Sequence, residues 1–265
     1  TEDQRIAQLF MVAAYSNKGN DHEAYISNLV ANYHIGGLIF MQGTPEKEIE
    51  LTNLYQSKAK TPLMIAIDGE WGLPMRLKNT FKFPKQMTLG AIQHDSLIYN
   101  MGKEMANHCK RVGIHVNFAP VIDVNNNRKN PVINYRSFGE QRENVTKKGI
   151  AYMKGMQENG VLACAKHFPG HGDTDKDSHK ALPVITHNYK RLDSIEFYPF
   201  KRLIKEGIGS MMVAHLFIPA LDSTPNTATT LSKAVVTDLI QTKMGFEGLI
   251  FTDALNMKGV SSFYK

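Results

Sequence analysis

Cysteine, tryptophan and long apolar runs are scarce in this sequence, and each scarcity excludes something. The two cysteines, Cys109 and Cys164, cannot build a disulfide framework. Cys164 lies in the apolar run VLACAKH and reads as a small buried hydrophobe. No apolar stretch approaches the roughly 18 residues of a membrane-spanning helix. No signal-peptide pattern opens the chain, which starts at Thr1 rather than Met, and both a cytoplasmic and an exported location stay open. Positive charge exceeds negative, 31 Lys and Arg against 25 Asp and Glu. It never runs longer than two residues, as in Lys110-Arg111, so it reads as solvated helix faces and not as a nucleic-acid footprint. Linker-like and low-complexity segments are absent, which points to one domain over residues 1–265.

What the sequence does have is short apolar runs at intervals. They are LFMVAA (9–14), GGLIFM (36–41), PLMIAID (62–68), HVNFAP (115–120), VLACAKH (161–167), SMMVAH (210–215) and GLIFTDA (248–254). Each is too short for a helix, lacks two-residue alternation and is bounded by Gly, Pro or Asn, the pattern of strands buried on both faces. Helical periodicity fills the gaps. Over 95–112, Leu97, Ile98, Met101, Met105, Cys109 and Val112 form one stripe, with Asp95 placed to cap the start and Gly113 the end. Val145, Tyr152 and Met156 share a face in 140–159, and Val235, Val236, Leu239, Ile240 and Met244 share one in 232–244.

Strand–helix alternation implies α/β architecture with a parallel sheet. Five strands end in or just before a polar residue: Asp68, Asp123, His167, His215 and Asp253. A barrel gathers all such ends on one face, whereas an open doubly wound sheet lines them up in a row, and no G-x-G-x-x-G follows the first strand. The expected fold is therefore a (β/α)8 TIM-type barrel. Its last βα unit is expected to lie outside this chain, which ends twelve residues after Asp253.

The densest chemistry is in AKHFPGHGDTDKDSHKALPVI (165–185), where His167, His171 and His179 accompany Asp173, Asp175 and Asp177. A calcium loop would need Gly at its sixth position and Glu at its twelfth, where Ser178 and Val184 stand. A zinc helix fails because Pro169 and Gly170 separate the first two histidines. No metal and no other cofactor is expected. A solvated loop remains possible on composition. So does acid–base work, since Asp177 and His179 are two apart and the carboxylate would orient and charge-stabilise the imidazole. Asp253 and Asp68 are carboxylates at buried strand ends, costly to desolvate unless met by donors or cations; capping or turn roles compete with catalysis there.

These residues resemble glycoside hydrolase family 3, and within it the bacterial β-N-acetylglucosaminidases that trim cell-wall fragments. KHFPGHGDTDKDSHKALP (166–183) carries most of the likeness. GGLIFM (36–41), AIDGEWGLPMR (66–76), FAPVIDV (118–124), RSFG (136–139) and FTDALNM (251–257) follow in the family's order and spacing. The resemblance implies Asp253 as nucleophile and His179 as general acid/base oriented by Asp177. It further implies that Asp68, Arg76, Arg136, Lys166 and His167 grip a terminal N-acetylglucosamine, so the expected partner is a small carbohydrate. Positive side chains near Asp253 would keep it ionised. The chain departs from the family at DGEWGLPMR, where Trp71, the only tryptophan, replaces a Gly; it reads equally as a sugar platform or a hydrophobic plug. Rival readings are a β-glucosidase or phosphorylase of the same family, a metal-dependent hydrolase, and a non-catalytic sugar-binding barrel.

Overall fold

All seven apolar runs become strands: β1 (Met11–Ala14), β2 (Gly37–Phe40), β3 (Met64–Ile67), β4 (Val116–Asn117), β5 (Leu162–Phe168), β6 (Ser210–Val213) and β7 (Leu249–Thr252). The computed structural model describes residues 1–175 and 182–263. Every neighbouring pair is parallel and the spatial order equals the chain order, β1 to β7. A doubly wound sheet would reverse its order at a switch point; this one does not.

The sheet is also curled. Phe118, just after β4, and Phe251, in β7, have ring centroids 5.0 Å apart, yet in a flat sheet three strand spacings would separate them by about 14 Å. Ala66, Val116, Phe118, Cys164 and Met212 form an inner core, with Met11, Ile39, Met64, Leu162 and Phe251 packed against it. Every strand thus contributes to one central plug, as in an α/β barrel. Among the described residues β1 and β7 are the two edges of the sheet. Their side chains are accordingly the least buried, with Leu249 44% exposed, whereas all four residues of β6 are buried.

A larger core, including Leu38, Phe40, Ile65, Ile67, Ala163 and Ala165, lies between the outer side of the sheet and the helices. The expected helices form at Asp95–Arg111, Arg142–Gln157 and Ala234–Lys243, the last with the wider hydrogen bonding of a π-helix. Leu97 departs from expectation: it is 54% exposed, while Ile98, Met105 and Cys109 carry the buried stripe. Asp95 does not cap its helix either. His94 occupies that position without a side-chain bond, and Asp95 pairs with the ammonium of Lys148, which also donates to the Ile92 carbonyl. Helices 95–111 and 142–157 meet backbone to backbone. A Cβ on Gly155 would lie 2.1 Å from the Tyr99 carbonyl oxygen, and one on Gly102 would lie 2.5 Å from that of Tyr152. Only glycine fits at either position.

Candidate active site

Strand ends β3 and β5 and the loops after β3 and β4 bring seven ionisable side chains into one cage. Asp68 and Glu70 follow β3 two residues apart. Asn117 of β4 pins the peptide between them, accepting from Gly69 N (2.9 Å) and donating to its carbonyl (3.2 Å). Lys166 and His167 end β5, Asp123 closes the extended segment after β4, and Arg136 ends the 3-10 turn Asn134–Arg136. That turn is shaped by Asn130, whose Oδ1 accepts from the backbone N–H of Val132 (2.9 Å) and Ile133 (2.8 Å).

Cations and carboxylates alternate through the cage. Arg76 Nη2 donates to Asp68 Oδ2 at 2.7 Å, and Lys166 Nζ donates to Asp68 Oδ1 at 2.8 Å. The same ammonium lies 2.9 Å from Glu70 Oε1. Arg136 grips Glu70 with both edges, Nη2 to Oε1 at 2.6 Å and Nε to Oε2 at 2.9 Å, the bidentate fork that fixes a guanidinium in orientation. Arg136 Nη2 also lies 3.2 Å from His167 Nε2, and His167 Nδ1 lies 2.7 Å from Asp123 Oδ2. A guanidinium only donates, so Nε2 is the acceptor and Nδ1 carries the proton given to Asp123. Asp123 further accepts the backbone N–H of His167 and, at 2.6 Å, that of His171.

These contacts set the charges. Burial pushes the Glu70 carboxyl up, but Lys166 and Arg136 overcome it and hold the group well below the ordinary carboxylate range. Asp68 is lowered in the same way, burial being outweighed by Lys166 and Arg76. Asp123 is lowered by His167 against its burial. Lys166, buried, is nevertheless raised by Asp68 and Glu70. Asp68, Glu70, Asp123 and Lys166 are therefore held ionised, which a buried site tolerates only when every charge has partners. Beside the cage lies His171, whose shift has the opposite consequence for charge. Burial, and next the proximity of His167, lower its imidazole to about 4, and its Nδ1 lies 2.7 Å from Thr174 Oγ1.

Exposure sorts the cage into a wall and a mouth. The side chains of Glu70, Asp123 and Lys166 are 1%, 0% and 2% exposed, whereas those of Asp68, Arg76 and Arg136 are each 18% exposed. The latter three reach an incoming molecule. Among the described residues Arg76 Nε, buried, has no hydrogen-bond partner, an unused donor at the mouth.

Asp253 stands elsewhere on the same face, directly after β7. Its backbone N–H bonds to the Val213 carbonyl (2.9 Å), and its Oδ1 accepts from Ala254 N (2.8 Å). The expected cations are not beside it: among the described residues no Lys, Arg or His nitrogen lies within ion-pairing distance. The strand-end residue His215 braces the turn instead, its Nε2–H donating to the Ala254 carbonyl at 3.0 Å. Asp68, Arg76, Arg136, Lys166 and His167 thus come together as expected, Asp253 stands apart from them with no ion-pair partner among the described residues, and Asp177 and His179 lie outside the described residues. Among the described residues nearby, His187 Nε2 lies 2.6 Å from Asp173 Oδ2. Sequence reasoning missed Glu70 and Asp123 as members of the site. A signal for Glu70 was present, since residues two apart in an extended segment share a side. Among the described residues no group of three or more His, Cys, Asp or Glu side chains is arranged to hold a metal ion.

The N-terminal domain of glycosyl hydrolase family 3 matches residues 1–265. β-Hexosaminidase A of Pseudoalteromonas piscicida is 38% identical over 263 residues, covering 90% of this chain and 44% of that protein. A β-hexosaminidase of Nitrosomonas eutropha is 33% identical over 239 residues, covering 86% of this chain and 68% of its own length. The solved family 3 β-N-acetylglucosaminidase of Paenibacillus sp. str. FPU-7 superposes with a TM-score of 0.92 at 36% identity, over 100% of this chain and 51% of that one. The chain therefore spans about half the length of several of the proteins it resembles.

Proposed function

The chain belongs to glycosyl hydrolase family 3, whose N-terminal domain it matches from residue 1 to residue 265, and on that premise we propose that it is the barrel catalytic domain of a retaining exo-β-N-acetylglucosaminidase. Its substrates are peptidoglycan fragments or chitooligosaccharides with a terminal β-linked N-acetylglucosamine, and its barrel is completed within a longer protein. The ionic cage is the observation that carries this reading. Three half-open polar side chains, Asp68, Arg76 and Arg136, rest on buried partners that fix their orientation. Preorganised donors and acceptors of this kind suit a ring of hydroxyls and an acetamide carbonyl. The β-hexosaminidases among its relatives support the choice of sugar.

In this reading the sugar lies between the cage and Asp253. The Asp253 carboxylate attacks the anomeric carbon as the glycosidic bond breaks, and His179 gives its proton to the departing oxygen. The same imidazole, oriented by Asp177, then takes a proton from water as water displaces Asp253, so configuration is retained. Separating grip from attack has a physical advantage. The cage charges neutralise one another, leaving the field at Asp253 free to act on positive charge developing at the anomeric carbon.

Turnover of aryl β-N-acetylglucosaminide against aryl β-glucoside, by the full-length protein, tests the proposal. The N-acetylated substrate should be preferred, Asp253→Asn should abolish release, and His179→Ala should spare activated aryl substrates far more than natural disaccharides. Preference for the glucoside, or equal losses on both substrate classes in His179→Ala, would count against it. Acceleration by phosphate with release of sugar 1-phosphate would replace hydrolase by phosphorylase.

A further inference from the structure

One cation at the mouth of the cage is held without being neutralised. Lys85 Nζ sits 2.8 Å from the centroid of the Trp71 ring and 4.8 Å from that of Tyr135. Among the described residues this ammonium has no carboxylate partner and no hydrogen bond. The rings attract it through their quadrupoles, which fix its position but carry no net charge to cancel it. Its ionic surroundings increase the positive field. Lys82 and Arg136 act on it as like charges, and the opposing Glu70 is already occupied by Arg136 and Lys166. One face of the Trp71 ring is thus covered by the ammonium.

The place of the cluster gives its charge a use. Trp71 lies three residues after Asp68, and Tyr135 immediately precedes Arg136, so the cluster borders the cage on its β3–β4 side. Tyr135 is 53% exposed, and Lys85 is half-buried. If the cage holds the terminal sugar of an exo-acting enzyme, every further atom of the substrate extends to the leaving-group side. An unneutralised cation on the open rim then meets the leaving group.

We propose that Lys85, clamped between Trp71 and Tyr135, forms a leaving-group subsite that recognises a carboxylate on the second sugar of the substrate. This rests on the function proposed above and sharpens it, because it favours acidic, carboxylate-bearing leaving sugars over neutral chitooligosaccharides. Trp71 and Tyr135 set the height and direction of the ammonium. The carboxylate supplies the counter-charge that the protein does not.

The test pairs charged and neutral leaving groups on the full-length protein. Disaccharides of N-acetylglucosamine linked to a sugar bearing a lactyl-ether carboxylate, or to a uronic acid, are compared with their methyl esters. At low salt the wild type should favour the acid over its ester by roughly fivefold in kcat/KM, the size of a partly exposed ion pair. That ratio should fall toward one in Lys85→Met, persist in Lys85→Arg, and shrink with added salt. The same acid-to-ester ratio in wild type and Lys85→Met, in both series, would overturn the proposal. Calorimetric binding of the sulfur-linked, non-hydrolysable acid and ester keeps the two readings separable. A Lys85-dependent preference in binding without turnover would support the subsite and sink the catalytic assignment; turnover without that preference would do the reverse.

Discussion

Glu70 and Glu48 are the same residue type at the same depth, 1% and 0% exposed, yet at neutral pH the first is ionised and the second protonated. Glu70, in the cage, is gripped by Arg136 and Lys166 and stays ionised. Glu48, on the helix Pro45–Lys58 in the outer layer, accepts a hydrogen bond from Thr52 Oγ1 at its Oε1 (3.2 Å), while among the described residues its Oε2 has no hydrogen-bond partner. Burial pushes its carboxyl up to about 8, with Thr52 only partly opposing. Depth alone therefore decides nothing about charge: partners do.

Removing a partner from the mouth should have the largest effect. Glu70→Gln leaves Arg136 without its fork and Lys166 with Asp68 alone, and breaking a buried pair in this way costs about 3–5 kcal/mol. Thermal unfolding should report that loss. The kcat/KM for aryl N-acetylglucosaminide should fall by about 100-fold as Arg136 loses its aim. Unchanged activity would mean that the cage is structural only.

Glu48→Gln should act in the opposite direction, and increasingly as pH rises. Its folded pKa lies above its unfolded one, so its contribution to stability is fully present below about pH 4.5 and is lost as pH rises through 8. Relative to wild type the Gln variant should gain about 3–4 kcal/mol of stability between pH 5 and pH 9. A gain that does not depend on pH would refute the protonated-carboxyl account. The cage carboxylates have the reverse sign, with lowered folded values. Their stabilisation is present above the unfolded carboxylate range and disappears as acid titrates them.

The smallest effect is expected at His171. Its folded pKa of about 4 lies below the ordinary imidazole value, so the unfolded chain binds more protons between those limits. Stability should fall as pH drops from about 6.5 toward 4, and His171→Gln should flatten that part of a Tm-against-pH curve by about 1–2 kcal/mol at pH 5. A curve unchanged in that window would show that the imidazole is solvated.

Much of this was legible in the amino-acid order. The seven strands could be read because each is an apolar run with no polar alternation, a direct consequence of burial on both faces. The polar residues at their ends pointed to one face, and five of the expected sugar-binding residues do assemble. What could not be read is who holds whom. Lys166 reaches Asp68 across 98 positions and Arg136 reaches Glu70 across 66, so Glu70 looked like a neighbour of Asp68 and not like the anchor of two cations. Likewise Trp71, Lys85 and Tyr135 come from three separate stretches of chain, and nothing in any one of them announces an ammonium between two rings. Leu97 misled for a local reason: it lies at the margin of its helix's apolar stripe, where periodicity alone does not fix which way a side chain turns.

The glycine contact between helices 95–111 and 142–157 has a mechanical consequence. Two helices in backbone contact leave no layer of side chains to yield between them, so the pair behaves as a single stiff beam behind β4 and β5. Those strands lead to Asp123, Lys166 and His167, so the gauge of the mouth is set from the outside of the barrel. A methyl group added at Gly155, which no sugar would touch, would wedge the beam open and detune the grip at the other end of the lever.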